Sequence, residues 1–174
     1  MKKKPRRKVL HHNWSSLRAE IAHVIRDKNI SQEDFRPLGM YEDWRQIGEN
    51  IYQRFCHIEH PTQRPGWLWA HLKCDYSAVA CLPNRPETYL DRLVDAHEHV
   101  WLILDEDDKW WFYEGKIKTI QMIIDESWFD ELYIVSKKYM WLICINHHDC
   151  LIAVENLFMQ RLDMLKKELE EAQK

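Results

Sequence analysis

The most constraining feature of this sequence is a pair of apolar, aromatic runs joined by a short acidic turn. Residues 100–104 read VWLIL, residues 110–113 read WWFY, and the turn between them holds four acidic residues. Continuous runs rich in β-branched and aromatic residues are typical of strands that are covered on both faces. The two runs therefore predict a β-hairpin inside a packed sheet.

A second pair of strands follows one helix. Ile117, Ile120 and Ile124 recur at helical spacing and predict a helix that ends near residue 125. Residues 132–135 (LYIV) and 140–145 (MWLICI) predict two further strands. The predicted core is β-β-α-β-β over about residues 99–146, in an antiparallel or mixed sheet, and the predicted fold class is α+β.

Further elements are expected on both sides of this core. Helical spacing of apolar residues predicts helices over about 13–28 and 41–56, and a strand is expected over 77–82. A further helix is predicted over about 86–97, because Pro86 suits the first position of a helix. The apolar run 151–154 leads into a last helix. That helix packs on its own domain or, as the alternative, forms the seam of a homodimer.

Basic residues are concentrated at the start of the chain. Six of the 25 basic residues lie in the first eight positions, and the other 166 residues carry 19 basic and 28 acidic side chains, a net charge of −9. We expect residues 1–12 to be a flexible basic arm and residues 13–174 to be a single domain. An acidic body favours a basic partner. The arm leaves nucleic-acid binding open through its six basic residues Lys2, Lys3, Lys4, Arg6, Arg7 and Lys8.

Several classes of protein are excluded by what the sequence lacks. The sequence has no run of about 18 apolar residues, so no transmembrane helix is predicted. The basic N-terminus is not followed by the apolar segment that a secretion signal requires. We therefore expect a cytoplasmic protein. Its five cysteines have no regular spacing and are expected to be free thiols. Only four glycines are present, which excludes a glycine-rich phosphate loop, and no cofactor is expected.

The strand at 140–145 runs into the most reactive set of residue types in the chain. Asn146, His147, His148 and Asp149 follow Cys144, and a rigid strand end is a common place for functional groups. Asparagine and aspartate also end strands by bonding nearby backbone groups, and adjacent histidines on an extended chain point in different directions. The sequence thus predicts a structural strand end, and leaves a small enzyme or ligand-binding site at these residues as the alternative.

No metal site is predicted. The pairs His57/His60 and His97/His99 lack the paired cysteines or the metal-binding helix of a zinc site. The acidic turn lacks the glycine and the final glutamate of a calcium-binding loop.

The acidic turn with its neighbouring tryptophan is the predicted partner-binding surface. Its residues are Asp105, Glu106, Asp107, Asp108 and Trp111. Trp is enriched in interface hot spots, and Trp67, Trp69 and Trp128 are further candidates for an exposed anchor.

Three segments resemble a family of small, uncharacterised bacterial proteins. They are residues 109–115 (KWWFYEG), 133–139 (YIVSKKY) and 141–149 (WLICINHHD). The last, a Trp-Leu-x-Cys-x-Asn-His-His-Asp ending, is the most specific, and the resemblance extends over about residues 41–154. It implies the boundaries of the core and no particular activity. In size and charge the chain is also similar to immunity proteins of bacterial toxin systems.

These observations favour a non-enzymatic module that binds a protein partner through an acidic, aromatic face, as an immunity or regulatory protein does. The predicted partner is basic, because the body of the chain is acidic.

Overall fold

The apolar runs of the sequence become the central strands of one antiparallel sheet. A computed structural model describes residues 16–60, 63–81, 84–106, 109–127 and 129–172, and within them seven strands pair in a single sheet. The strands are β1 (Phe35–Pro37), β2 (Tyr76–Ala80), β3 (His99–Glu106), β4 (Lys109–Lys116), β5 (Glu131–Ser136), β6 (Leu142–Ile145) and β7 (Cys150–Val154). The helices are α1 (Leu17–Asp27), α2 (Trp44–Phe55), α3 (Leu90–Leu93), α4 (Ile117–Glu126) and α5 (Asn156–Glu171).

The strand order explains why some runs are wholly apolar and others are not. The order is β1-β4-β3-β5-β6-β7-β2, and every neighbouring pair is antiparallel. All six residues of β5 are buried because this strand lies in the middle of the sheet. The predicted α+β class and the hairpin of β3 and β4 are confirmed.

Each face of the sheet carries its own hydrophobic core because side chains alternate along each strand. Leu102 and Leu104 of β3 face a core that includes residues of α1, α3, α4 and α5. Ile103 faces the opposite core, which includes α2 and Leu68. Asp43 caps α2 by accepting a hydrogen bond from the Gln46 N–H at 3.1 Å, which fixes where the helix begins beside the sheet.

The segment predicted as one helix over 86–97 is shorter in the structure. A 3-10 turn (Pro86–Tyr89) leads into α3, which ends after Leu93. The side chain of Asp95 accepts a hydrogen bond from the His97 N–H at 2.8 Å. That bond favours a turn at the place where the helix was expected to continue.

Two strands were not predicted. β7 occupies the apolar run that was read as the approach to the last helix, because such a run does not by itself distinguish a strand from a first helical turn. Glu155, with φ of 95°, separates β7 from α5. β1 is three residues long and is defined by its pairing with β4.

The last helix packs on its own domain. Phe158, Leu162 and Leu165 are buried, and α5 contacts β2 and β7. A homodimer through this helix stays a prediction. No helix in the described part of the chain is long and apolar enough to cross a membrane. The predicted arm, residues 1–12, lies outside the described residues.

Candidate functional site

The outer edge of β4 is only half covered. β1 pairs with β4 from Tyr113 to Gly115. The pairing ends one residue after β1, where the Leu38 N–H donates to the Phe112 carbonyl at 3.0 Å. Residues of an antiparallel strand alternate in the side to which their backbone groups point, so the N–H and C=O of Trp110 point outward like the Phe112 carbonyl. Within the described ranges no strand lies outside Lys109 and Trp110.

An open groove runs along this uncovered edge. Its volume is about 1100 Å³, and α1 lies on one side of it and α2 on the other. The residues that line it are Arg18, Pro37, Leu38, Gly39, Met40, Trp44, Arg45, Gly48, Glu49, Tyr52, Arg64, Pro65, Gly66, Asp105, Lys109, Trp110, Trp111, Phe112 and Tyr113.

Aromatic rings form the walls of the groove on both faces of the sheet. Trp110 stacks on Tyr52 of α2, with ring centroids 4.8 Å apart, and Phe112 contacts Trp44 at 5.8 Å. Trp111 points to the opposite face, towards α1. Trp44 remains 42% exposed. The groove therefore offers aromatic surface to a bound molecule on both sides of the strand edge.

Cationic side chains lie over these rings. The Arg18 guanidinium is 5.1 Å from the Trp111 ring, that of Arg45 is 5.0 Å from Trp44, and that of Arg64 is 5.0 Å from Tyr52. These distances are those of cation–π contacts, which orient the guanidinium groups.

Part of the predicted acidic surface is directed inward. Glu106 accepts a hydrogen bond from the Leu17 N–H at 2.5 Å and another from Trp111 Nε1 at 2.7 Å, so both carboxylate oxygens are used inside the protein. Asp105 lines the groove. Asp107 and Asp108 lie outside the described residues. The structure thus places Asp105 and Trp111 together at the groove and uses Glu106 to hold α1 to the hairpin.

The Asn-His-His-Asp segment forms the tight turn between β6 and β7. Asn146 is 3% exposed, and its Oδ1 accepts hydrogen bonds from the N–H groups of His148 and Cys150, both at 3.1 Å. Asp149 has a φ of 56°, the left-handed conformation that asparagine and aspartate tolerate. Asn146 and Asp149 therefore have structural roles in this turn.

His147 has a partner that the sequence did not reveal. Its Nδ1 lies 2.5 Å from Oε1 of Glu131, at hydrogen-bond distance, and Glu131, the first residue of β5, is 2% exposed. The rings of His147 and His148 are 3.9 Å apart, and Trp67 and Trp69 pack against them. The sequence gives no sign of this contact, because Glu131 lies 16 positions away and only the pairing of β5 with β6 brings it close to His147.

The thiol of Cys144 is buried beneath this turn. It is fully buried, and this burial raises the pKa of its thiol well above the ordinary value. Because the thiolate is the nucleophile, this burial disfavours a nucleophilic role for Cys144. Within the described ranges no group of three or more His, Cys, Asp or Glu side chains is placed to hold a metal ion.

One loop joins the two candidate regions. Pro65 and Gly66 line the groove, and Trp67 and Trp69, which follow directly, pack against His147. The predicted anchor Trp67 is 53% exposed. Trp128 and the six basic residues of the arm lie outside the described residues.

Comparison with known proteins gives one positive result. The model of a family of unknown function (DUF6756) matches residues 13–166 of the chain. A search of curated proteins finds no match to the chain. The match confirms the resemblance to an uncharacterised family, whereas the bacterial origin and the motif of that family stay predictions.

Proposed function

The chain belongs to this family of unknown function, and we propose that it is a protein-binding module that takes an extended segment of a partner into the groove along β4. The observation that carries this proposal is the position of the uncovered strand edge. The outward N–H and C=O of Trp110 lie inside a groove of about 1100 Å³ with aromatic walls.

Strand addition uses backbone groups of this kind. An extended peptide that pairs with an open sheet edge gains main-chain hydrogen bonds, and its alternate side chains enter pockets on the two faces. The uncovered part, residues 109–111, spans about 10 Å at about 3.3 Å per residue. A bound segment would continue the line of β1 along β4 and would be antiparallel to β4, as β1 is.

The composition of the groove also suits a protein interface. Tryptophan, tyrosine and arginine dominate interface hot spots because they combine large apolar area with directed polar groups. The groove holds three tryptophans, two tyrosines and three arginines. Binding without catalysis is how immunity and regulatory proteins act, and such a role remains our proposal for this chain.

The proposal is tested with a displayed library of random short peptides and matched variants of Trp110. Peptides that bind the protein are synthesised, and their affinity is measured by fluorescence anisotropy. Trp110→Ala removes the ring and keeps the outward N–H, whereas Trp110→Pro removes both. Proline is tolerated where an edge N–H faces outward. We expect Trp110→Pro to bind more weakly than Trp110→Ala, and we expect peptide to slow hydrogen exchange of the Trp110 amide in the unmodified protein.

Two further variants guard against misfolding and non-specific binding. Trp44→Ala removes a partly exposed ring from the wall of the groove and leaves the backbone of the strand edge in place, and it should weaken binding. Tyr76→Ala removes an exposed ring from β2, at the opposite edge of the sheet, and should bind as the unmodified protein does. The proposal fails if the library yields no binding peptide, or if the bound peptides leave exchange of the Trp110 amide unchanged.

A second candidate function rests on His147 and Glu131. One oxygen of the buried Glu131 holds the His147 ring, and Oε2 has no hydrogen-bond partner within the described residues. A carboxylate that orients an imidazole is an arrangement used for general-base catalysis. A panel of chromogenic carboxylic and phosphate esters tests this alternative, because any turnover should be lost in both His147→Gln and Glu131→Gln. Absence of turnover across the panel would remove it.

A further inference from the structure

Among the described residues, several cations of the groove have no ionic partner, although the chain as a whole is acidic. Arg64 pairs with Glu49 at 3.6 Å. Arg18, Arg45 and Lys109 have no carboxylate within 4.0 Å among the described residues. Elsewhere Arg36, which is at the other end of the same edge, contacts two carboxylates.

We infer that the segment bound along β4 is acidic, with carboxylate side chains that pair with Arg18 and Arg45. This inference rests on the proposed function and adds the chemistry of the partner. The prediction made from the overall charge was a basic partner. The groove is lined by four cationic side chains and by only two carboxylates, those of Glu49 and Asp105, and this local excess favours the opposite sign. Local charge decides here because exposed charges more than about 10 Å apart are largely screened at ordinary salt concentrations.

The stacked arrangement of the arginines supports this choice. A guanidinium that lies over an aromatic ring uses its face for the ring and keeps the N–H groups of its edge available. Those N–H groups fit the two oxygens of a carboxylate. Arg18 and Arg45 are therefore held in place for carboxylates and leave their donors free for them.

The two arginines also predict the spacing of the acidic residues. Arg18 lies with Trp111 on the α1 side of the strand, and Arg45 lies with Trp44 on the α2 side. Neighbouring side chains of an extended segment point to opposite faces. Two adjacent acidic residues would thus each meet one arginine.

A polypeptide explains the groove better than a single-stranded nucleic acid does. Aromatic rings and arginines also bind single strands through stacking and phosphate contacts. An outward N–H and C=O at strand spacing, however, match a peptide backbone.

The inference is tested with three peptides that differ only at two adjacent central positions. A library-selected sequence is made with Glu-Glu, Gln-Gln or Lys-Lys there, and an oligothymidylate is the nucleic-acid probe. Binding is measured at about 0.01 M and about 1 M salt, where the Debye length is about 30 Å and about 3 Å. We expect the Glu-Glu peptide to bind about tenfold more tightly than Gln-Gln at low salt, and salt to reduce this ratio.

Arginine variants locate the effect. Arg18→Gln and Arg45→Gln should each reduce the ratio of Glu-Glu to Gln-Gln affinity, whereas Arg26→Gln, the same charge change at the other end of α1, should leave it unchanged. Equal binding of Glu-Glu and Gln-Gln that is still lost in Trp110→Pro overturns the acidic partner and keeps the proposed function. If the unmodified protein binds none of the three peptides, both the acidic partner and the proposed function are overturned. Tighter binding of oligothymidylate than of every peptide replaces the inference with single-strand binding.

Discussion

Asn146 shows how a residue that suggests catalysis can instead hold a turn. Its amide oxygen accepts two backbone hydrogen bonds at the end of β6. A single carbonyl thus fixes the direction in which the chain enters β7. The sequence predicted this role from the residue type alone, because asparagine bonds backbone groups in turns wherever strands end.

Replacing Asn146 should therefore destabilise the fold. In Asn146→Ala the N–H groups of His148 and Cys150 lose their acceptor, and we expect the free energy of unfolding to fall by about 1–2 kcal/mol. Urea denaturation measures this change. His148→Ala, which keeps the backbone N–H and removes an exposed ring, is the control and should be close to neutral. A neutral Asn146→Ala would show that the turn is held by other contacts.

Tyr133 connects the sheet to the loop that borders the groove. Its hydroxyl accepts a hydrogen bond from the Leu68 N–H at 3.2 Å, and both residues are buried. Tyr133→Phe leaves that N–H without a partner, and we expect a loss of about 1–3 kcal/mol in the free energy of unfolding.

The effect of Tyr133→Phe should also be local. Hydrogen exchange of the Leu68 amide should become faster than in the unmodified protein, and Tyr76→Phe, at an exposed position, should change neither measurement. Unchanged exchange at Leu68 would mean that the hydroxyl does not hold the loop.

At the scale of elements, what the sequence predicted well is what local pattern determines. β3, β4, β5 and β6 are continuous apolar or aromatic runs, and α4 follows its helical spacing. β1 could not be predicted because three residues carry no periodic signal and the strand exists through its pairing with β4. The groove was missed for the same reason, since it depends on where β1 stops.

The close approach of β1 to β4 depends on Gly115. A Cβ added there would lie 2.6 Å from Phe35 Cδ2 and 2.8 Å from the Asp34 carbonyl oxygen. Because one of these neighbours is backbone, the strands would have to separate. We expect Gly115→Ala to lower the free energy of unfolding by about 1–3 kcal/mol, as measured by urea denaturation.

Gly48 is the matched control for this substitution. It lies within α2, and a Cβ there would contact Phe112 Cζ at 3.4 Å, an ordinary distance. Gly48→Ala should stabilise the protein by up to about 1 kcal/mol, because alanine is the better helix former. Similar effects of the two substitutions would contradict the different packing of the two glycines.

At the scale of the whole molecule, the overall charge and the local charge of the groove lead to different expectations. The overall charge predicts a basic partner, and the groove favours an acidic one. The acidic excess is counted directly from the sequence, and it carries no information on where charges of either sign gather in the fold. The cations of the groove come from α1, α2, the loop after α2 and β4, and these segments are separated in sequence. His147 and Glu131 likewise meet only through sheet pairing, so a candidate site of either kind needed the fold.

Burial of weakly acidic groups in the two cores predicts how stability depends on pH. Burial raises the pKa of the Cys56 and Cys81 thiols to about 12 from an ordinary value of 9.0, and raises the pKa of the Tyr113 hydroxyl to about 12 from 10.0. The unfolded chain therefore releases these protons at lower pH than the folded protein does. Their stabilising contribution is complete below about pH 9 and is lost progressively between pH 9 and pH 12.

We expect the free energy of unfolding to fall by about 1.4 kcal/mol per pH unit for each such thiol above pH 9. Urea denaturation under reducing conditions from pH 7 to pH 11 measures this slope. Cys56→Ala should make the slope shallower by the share of one thiol, even though it also removes packing. Val79→Ala, which removes packing in the core but no titratable group, should leave the slope unchanged. A free energy of unfolding that stays constant up to pH 11 would show that these groups ionise alike in the folded and unfolded chains, and that water reaches the cores.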